Sequence, residues 1–449
     1  MRFGKKKDSV KKGKQETPHA AGKGGAVKVP SSFTAFGDEV RMLMAEHAAT
    51  ESAEDWPIVK IVDDLLVLAH GHGTSDIHIE PYEERTLIRF RIDGILHDVA
   101  EVPRALHDLL TTRVKILSRL RTDEHAAAQD GKLRFPVNGD KVDVRVSIVP
   151  VIHGEKTVLR ILSESERVIA LDTIGFAPHD LAIIQRNIQR PWGMILATGP
   201  TGSGKTSTLY AALKVLNSTD VNISTIEDPV EYEMERVNQI QVNPRTELTF
   251  AKGLRSIVRQ DPDIIMVGEI RDEETAKIAV NSAMTGHLVL STLHTNDAAT
   301  TLPRLADMGV PPFLIASTVS VVIAQRLVRR VCEQCTEQRA VDAGVLAVAR
   351  EQLSPAMLKT YGFGAASATA TYGRGCGECQ DSGYRGRTMI AEVMEMTDPI
   401  RAMIMSRENA SAIAAKAVKL GMTTIAEDGL RKVQAGVTTL EELLRVAQE

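Results

Sequence analysis

The sequence predicts an α/β protein in two main parts: a small α/β domain over residues 57–165, then a larger domain over 181–449 built on a mostly parallel sheet covered by helices. Three observations carry this prediction. The short apolar run Met194-Ile195-Leu196-Ala197 leads into a glycine-rich loop and a helical stretch, and further β/α alternation follows. Upstream, Ile88, Phe90 and Ile92 alternate with Arg89 and Arg91, and Val142, Val144, Val146 and Ile148 alternate with Asp143, Arg145 and Ser147, the period of half-buried strands. Two Cys-x-x-Cys pairs among glycines interrupt the larger part over 330–390.

Taken in order, residues 1–30 are rich in Lys and Gly and read as a disordered basic tail. They carry nine Lys or Arg against Asp8 and Glu16, a net of +7, so the rest of the chain, with 45 basic and 56 acidic residues, is at −11. The tail is either simply solvated or a contact for acidic lipid. The acidic body argues against nucleic acid as a partner, and 4% aromatic residues leave little for stacking on single strands. Residues 31–56 read as a short helical lead-in. Ile58, Val59, Ile61, Val62, Leu65, Leu66 and Ala69 then recur at helical spacing, with Gly71 and Gly73 as the stop. Residues 166–180 read as a linker, and 395–449 as helices, one starting near Thr438-Thr439-Leu440-Glu441. The basic start is not followed by an apolar core, so no signal peptide is visible. The longest apolar stretch, Pro311 to Ala324, is too short to span a bilayer and is broken by Ser317, Thr318 and Ser320. A cytoplasmic chain, peripheral at the membrane, is therefore expected.

The chemistry is concentrated in a few motifs. Gly199-Pro200-Thr201-Gly202-Ser203-Gly204-Lys205-Thr206, followed by Ser207, is a full G-x-x-x-x-G-K-[ST] phosphate loop between a strand and a helix. Its backbone N–H groups and the helix N-terminus suit phosphate, Lys205 suits the β- and γ-phosphates, and the Thr206 hydroxyl suits Mg²⁺; ATP is the expected ligand. A carboxylate is needed beside it. Asp263–Gly268 is an apolar strand ending in Glu269, with Gly268 where most phosphate-loop proteins carry Asp. A second apolar strand, Ile223–Ile226, ends in Glu227-Asp228-Pro229, and Glu227 is either a second group for polarising water or an ordinary strand end. His287 and His294 bracket Leu288–Leu293. His294, before Thr295-Asn296-Asp297, reads as a sensor of the γ-phosphate, while His287 is equally a structural histidine. Cys332, Cys335, Cys376 and Cys379 supply the four thiolates of a tetrahedral zinc site; a redox dithiol would need one pair and a different fold.

Together these motifs resemble the type II/IV secretion ATPase superfamily. Val258 to Asp272, around Asp263–Glu269, looks like its hallmark, and the phosphate loop, Ile226 to Tyr232 and Thr285 to His294 complete its four nucleotide boxes. Ser75 to Pro81, Arg89 to Gly94 and Gln129-Asp130-Gly131 resemble the domain that precedes the motor. The resemblance implies a RecA-like P-loop ATPase domain behind a small PAS-like α/β domain, with a zinc-binding insert. It further implies a homo-hexamer that works against an inner-membrane platform protein. It implies that Arg145 and Arg160 face the nucleotide from the first domain, and that Arg255, Arg259 and Arg271 sit at subunit contacts; ordinary ion pairing is the alternative for each. The cysteine module is typical of the assembly and secretion branches, and retraction motors normally lack it. Type IV pilus assembly is the preferred function, with the type II secretion motor as the close alternative. A DNA-translocating ATPase shares the core, but the acidic body speaks against it. Two departures stand out. Only 56 residues precede the α/β domain, whereas the family usually carries a further N-terminal domain. His125, Ala126 and Ala128 stand where the family tends to place a basic pair and a proline.

Overall fold

The structure is a computed structural model and describes residues 57–447, apart from 138–139, 163–169 and 366. The basic tail, the helical lead-in and part of the expected linker lie outside the described residues.

The chain begins with helix α1 (Ile58–Gly71), which buries Ile61, Val62, Leu65, Leu66 and Ala69 on one stripe. Strands β1 (Thr74–Pro81), β2 (Arg85–Ile92) and β3 (Ile95–Pro103), helix α2 (His107–Leu117) and strands β4 (Gln129–Val137), β5 (Asp140–Val151) and β6 (Gly154–Leu162) follow. The six strands form one antiparallel sheet in the order β3-β2-β1-β6-β5-β4. Because side chains alternate along a strand, Ile77, Ile79, Ile88, Phe90, Val144, Val146, Leu159 and Ile161 share the face that α1 and α2 cover. The other face is polar and laced with ion pairs: Arg160 with Asp76 at 2.8 Å, Arg89 with Glu80 at 2.7 Å, and Lys156 with Glu80 at 2.8 Å.

After helix α3 (Pro178–Ile188) comes the second sheet. Its parts are β7 (Gly193–Thr198), α4 (Lys205–Leu216), β8 (Ile223–Glu227), β9 (Val237–Gln241), α5 (Phe250–Ile257), β10 (Ile264–Val267), α6 (Glu273–Met284), β11 (Leu288–Leu293), α7 (Ala298–Asp307), α8 (Pro312–Thr318) and β12 (Val319–Val331). The order is β15-β12-β7-β11-β10-β8-β9, where β15 is Tyr384–Glu395. All neighbours are parallel except β15, which runs antiparallel to β12. The strands β7, β8, β10 and β11 are buried along their whole length because both faces are covered. Met194 and Leu196 pack with α5, α6, α7 and α8, while Ile195 and Ala197 pack with α3 and α4.

Strands β12 and β15 pair from Val321↔Glu395 to Val331↔Tyr384, so the chain between them is an excursion from one long hairpin. It holds the four cysteines, β13 (Thr336–Ala340), α9 (Ala343–Gln352), α10 (Pro355–Thr360) and β14 (Thr369–Gly373). Helices α11 (Asp398–Met405), α12 (Ala410–Lys419), α13 (Ile425–Gln434) and α14 (Leu440–Ala447) close the chain. The last of them is tied to the base of the excursion by Glu442, which is 2% exposed and accepts from the Arg329 guanidinium at 2.7 Å, the Arg329 N–H at 3.0 Å and Arg445 at 2.8 Å.

Burial alone would raise the Glu442 pKa, but the Arg445 and Arg329 bonds outweigh it and hold the carboxyl down at about 2, against an ordinary 4.5. A depressed folded-state pKa gives stability that is complete above pH 4.5 and is lost as pH falls towards 2. In denaturant melts of wild type and Glu442→Gln, the gap in midpoint should be constant from neutral pH to about 5 and close below 4.5. A gap that stays constant into strong acid would contradict this ion pair.

Candidate active site

The phosphate loop connects the C-terminal end of β7 to the N-terminus of α4. Its first residue, Gly199, has φ +142°, and a Cβ there would stand 2.5 Å from the Gln325 carbonyl, so both conformation and space require glycine. Thr198, the last residue of β7, is buried. Its hydroxyl meets the Thr295 N–H at 2.9 Å, the Thr295 carbonyl at 2.9 Å and the Leu293 carbonyl at 3.1 Å. The loop's entry is thereby pinned to the end of the neighbouring strand β11. From the other neighbour, Gln325 of β12 donates to the Ser203 carbonyl at 2.8 Å and accepts from the Thr208 hydroxyl at 2.9 Å. The sequence reading missed Gln325. Its signal was the polar pair Gln325-Arg326 inside the apolar run Val319–Val331.

Lys205 is 9% exposed and its Nζ donates to the Gly199 and Pro200 carbonyls at 2.8 and 2.9 Å. Burial lowers its pKa to about 8; Glu269 opposes that shift and Arg326 adds to it. The Ser203 hydroxyl is buried in the loop with no hydrogen-bond partner among the described residues. An orphaned donor, a buried ammonium and a helix N-terminus facing one loop fit a polyphosphate. Thr206 stands in the first turn of α4, where its hydroxyl suits a metal on that phosphate. A cavity of about 770 Å³ opens beside Gly204, Ser207 and Gln325 and reaches the first sheet at Thr74 and Asp93.

Glu269 follows β10, beyond Gly268. Gly268 lies against the end of β8, where a Cβ would be 3.3 Å from the Glu227 Cα. The Glu269 carboxylate meets Arg271 at 2.7 Å and His294 Nε2 at 3.2 Å. Glu269, Arg271 and His294 therefore converge, and Glu269 is the carboxylate whose charge bears on Lys205. His287 sits at the opposite end of β11, where its Nδ1–H donates to the Ser282 carbonyl at 2.9 Å. Glu227 is placed differently. It is 2% exposed at the end of β8, accepts from the Tyr210 hydroxyl of α4, and takes further bonds from Thr225 at 2.5 Å and Gln239 at 3.3 Å. Burial raises its pKa.

The five candidate arginines are dispersed. Arg145 reaches across from β5 to Glu231 at 2.7 Å and to the Val230 carbonyl, joining the first sheet to the segment after Glu227. Arg160 pairs with Asp76 on the polar face of its own sheet. Arg255 pairs with Glu274 on the surface, and exposed Arg259 touches Ser256 Oγ at 3.4 Å. Of the five, Arg271 is the one the described residues bring to Glu269.

The four cysteine sulfurs lie within 4.8 Å of one another. Cys332–Cys376 is 3.9 Å, Cys335–Cys379 3.8 Å and Cys376–Cys379 3.7 Å. A tetrahedron with metal–sulfur bonds of about 2.3 Å has edges of about 3.8 Å. The cluster thus fits a zinc-binding insert. Burial pushes the Cys335 thiol up to about 12, so four thiolates here need a cation to balance them.

A family model described as type II/IV secretion system protein matches residues 51–445. The type II secretion system protein E of Dickeya dadantii is 46% identical over 399 residues, which cover 89% of this chain and 77% of that protein. The type IV pilus assembly ATPase PilB of Myxococcus xanthus is 43% identical over 420 residues, covering 91% and 72%. Among solved structures, the Legionella pneumophila ATPase DotB aligns with a TM-score of 0.63 at 22% identity, over 87% of this chain and 96% of that one. The pilus retraction motor PilT with bound ADP aligns at 0.58 and 24%, over 87% and 97%. These structural likenesses speak for the fold, a RecA-like P-loop domain behind a smaller α/β domain. No helix among the described residues is long and apolar enough to cross a membrane. A match running from residue 51 to 445, with relatives at 46% and 43% identity, leaves one assignment: the chain belongs to the type II/IV secretion system protein family and is one of its P-loop ATPases.

Proposed function

We propose that the chain is the force-generating subunit of a homo-hexameric ring that hydrolyses ATP to ADP and phosphate and drives type IV pilus assembly. The ring would act at the cytoplasmic face of the membrane, against a platform protein there. The observation that carries this reading is that the loop of Lys205 and the Glu269–His294–Arg271 cluster follow the C-terminal ends of the neighbouring parallel strands β7, β11 and β10. There Lys205 would leave the loop carbonyls for the β- and γ-phosphates. Mg²⁺, held by the Thr206 hydroxyl, would neutralise phosphate charge. Glu269 would orient the attacking water and His294 would register the γ-phosphate. Glu227 would contribute once the Tyr210 hydroxyl releases it. Arg145 would carry the closure of the first sheet over the nucleotide, and Arg160 would join it on closure. Arg255 and Arg259, exposed on one side of the Glu269 strand, suit a neighbouring subunit, as does Arg271 when it leaves Glu269.

The type II secretion reading stays beside this one, because relatives bearing that name match as well as those named for pilus assembly. Replacing the chromosomal gene with a Lys205→Ala copy separates them: loss of surface pili supports assembly, and retention of secreted enzymes inside the cell supports secretion. In the purified protein, Lys205→Ala should lower turnover by at least about 100-fold, and Glu269→Gln should bind ATP yet hydrolyse it about 100-fold more slowly. Wild-type turnover in Glu269→Gln would remove that carboxylate from the mechanism.

Zn²⁺ is proposed as the cation of the cysteine cluster, and elemental analysis should find about one zinc per chain. Protein free of metal, with all four thiols reacting quickly with a thiol reagent, would overturn this.

A further inference from the structure

A sixth arginine, not among those nominated from sequence, lies against the first glycine of the phosphate loop. Arg326 follows Gln325 on β12 and is 5% exposed. Strand order places β7 between β12 and β11. Arg326 Nη1 donates to the Gln325 carbonyl of its own strand at 3.1 Å, and Nη2 donates to the Asn296 carbonyl, beyond the end of β11, at 3.1 Å. To make both bonds the side chain must cross the end of β7. It does so at Gly199, where a Cβ would stand 3.2 Å from Nη1. The first glycine of the phosphate loop is therefore also the gap through which this guanidinium passes.

The segment it reaches is already gripped from the other side. Thr295 is bonded to Thr198, and its hydroxyl meets that of Thr301 in α7 at 2.7 Å. The N-terminus of α7 is in turn held by Glu392 of β15, which accepts from the Ala298 N–H at 2.7 Å. Arg326 thus lies where three things meet: the entry of the phosphate loop, the segment carrying His294, and the start of α7.

We propose that Arg326 is a positioning residue for hydrolysis, a strap within one subunit that fixes the phosphate loop against the His294–Asn296 segment. A guanidinium suits this role because it stays charged when buried and its planar fork can hold two carbonyls at once. Misplacing the His294 side of the site relative to Lys205 would slow hydrolysis while leaving the phosphate cradle able to bind, because positioning acts on the transition state more than on ground-state binding.

This inference rests on the ATPase reading of the site, and the experiment keeps the two apart. Full-length Arg326→Lys and Arg326→Gln are compared with wild type and with Lys205→Ala. The measurements are kcat and KM for ATP, and the affinity for the non-hydrolysable analogue AMP-PNP with Mg²⁺. Wild-type hydrolysis by Lys205→Ala would defeat the ATPase reading itself. If the strap is real, Arg326→Lys, which keeps the charge but loses the fork, drops kcat roughly tenfold with KM within about twofold. Its AMP-PNP affinity stays within about twofold of wild type, and Arg326→Gln, which loses the fork and the charge together, drops kcat at least as far. A wild-type kcat in Arg326→Lys overturns the strap, and this holds even if Arg326→Gln does not fold. A fall in kcat matched by an equal fall in AMP-PNP affinity overturns positioning, because the loss would then be one of nucleotide binding.

Discussion

Everything in this candidate site depends on how the end of β7 is held between its two neighbours. A phosphate loop is a string of backbone donors with little side-chain mass of its own, so its shape must be imposed from outside. Thr198 ties the entry to the end of β11, and Gln325 ties Ser203 and Thr208 to β12. The sheet order that puts β7 between those strands makes this possible. The same order sets Glu269, after β10, and His294, after β11, at one edge. In a parallel sheet all strand ends that carry such residues point the same way, which is why chemistry from four separate stretches of chain collects there.

The second dependence is between the two sheets. Arg145 joins β5 to Glu231, the Asp93 carboxylate accepts the Gly386 N–H at 2.8 Å, and Gln380 of the second cysteine knuckle bonds His72 at the end of α1. The cavity beside the phosphate loop is lined by the second and third of these contacts, through Asp93, Gly386, His72 and Gln380. The cysteine module is therefore no distant appendage. One knuckle forms part of the wall that the first sheet closes against, and the hairpin β12–β15 carries both that knuckle and Gln325.

What could be read from sequence follows from how local each feature is. The phosphate loop, the Glu269 strand and the cysteine pairs are short motifs whose chemistry is written in consecutive residues, and the alternation in Val142–Ile148 marks its buried face directly. The order β3-β2-β1-β6-β5-β4 was not legible, because alternation marks faces and says nothing about neighbours. Gln325 was overlooked because its partners, Ser203 and Thr208, lie more than a hundred residues away. The engagement of Glu227 with Tyr210 was invisible for the same reason: Tyr210 reads as an ordinary helix residue until α4 is laid over β8. The arginines show the limit most clearly. Arg160 and Arg255 have acidic neighbours that only the folded sheet and the α5–α6 contact supply.

The central claim is that Lys205 and Glu269 converge on one nucleotide phosphate while the flanking strands hold the loop still. A structure of the full chain with AMP-PNP and Mg²⁺ tests it most directly. The account expects Lys205 Nζ to have exchanged the Gly199 and Pro200 carbonyls for β- and γ-phosphate oxygens, with Glu269 beside the γ-phosphate and the Thr198–Thr295 and Gln325–Ser203 bonds intact. A nucleotide bound with Lys205 still on those carbonyls, or with Glu269 turned away from the γ-phosphate, would contradict it.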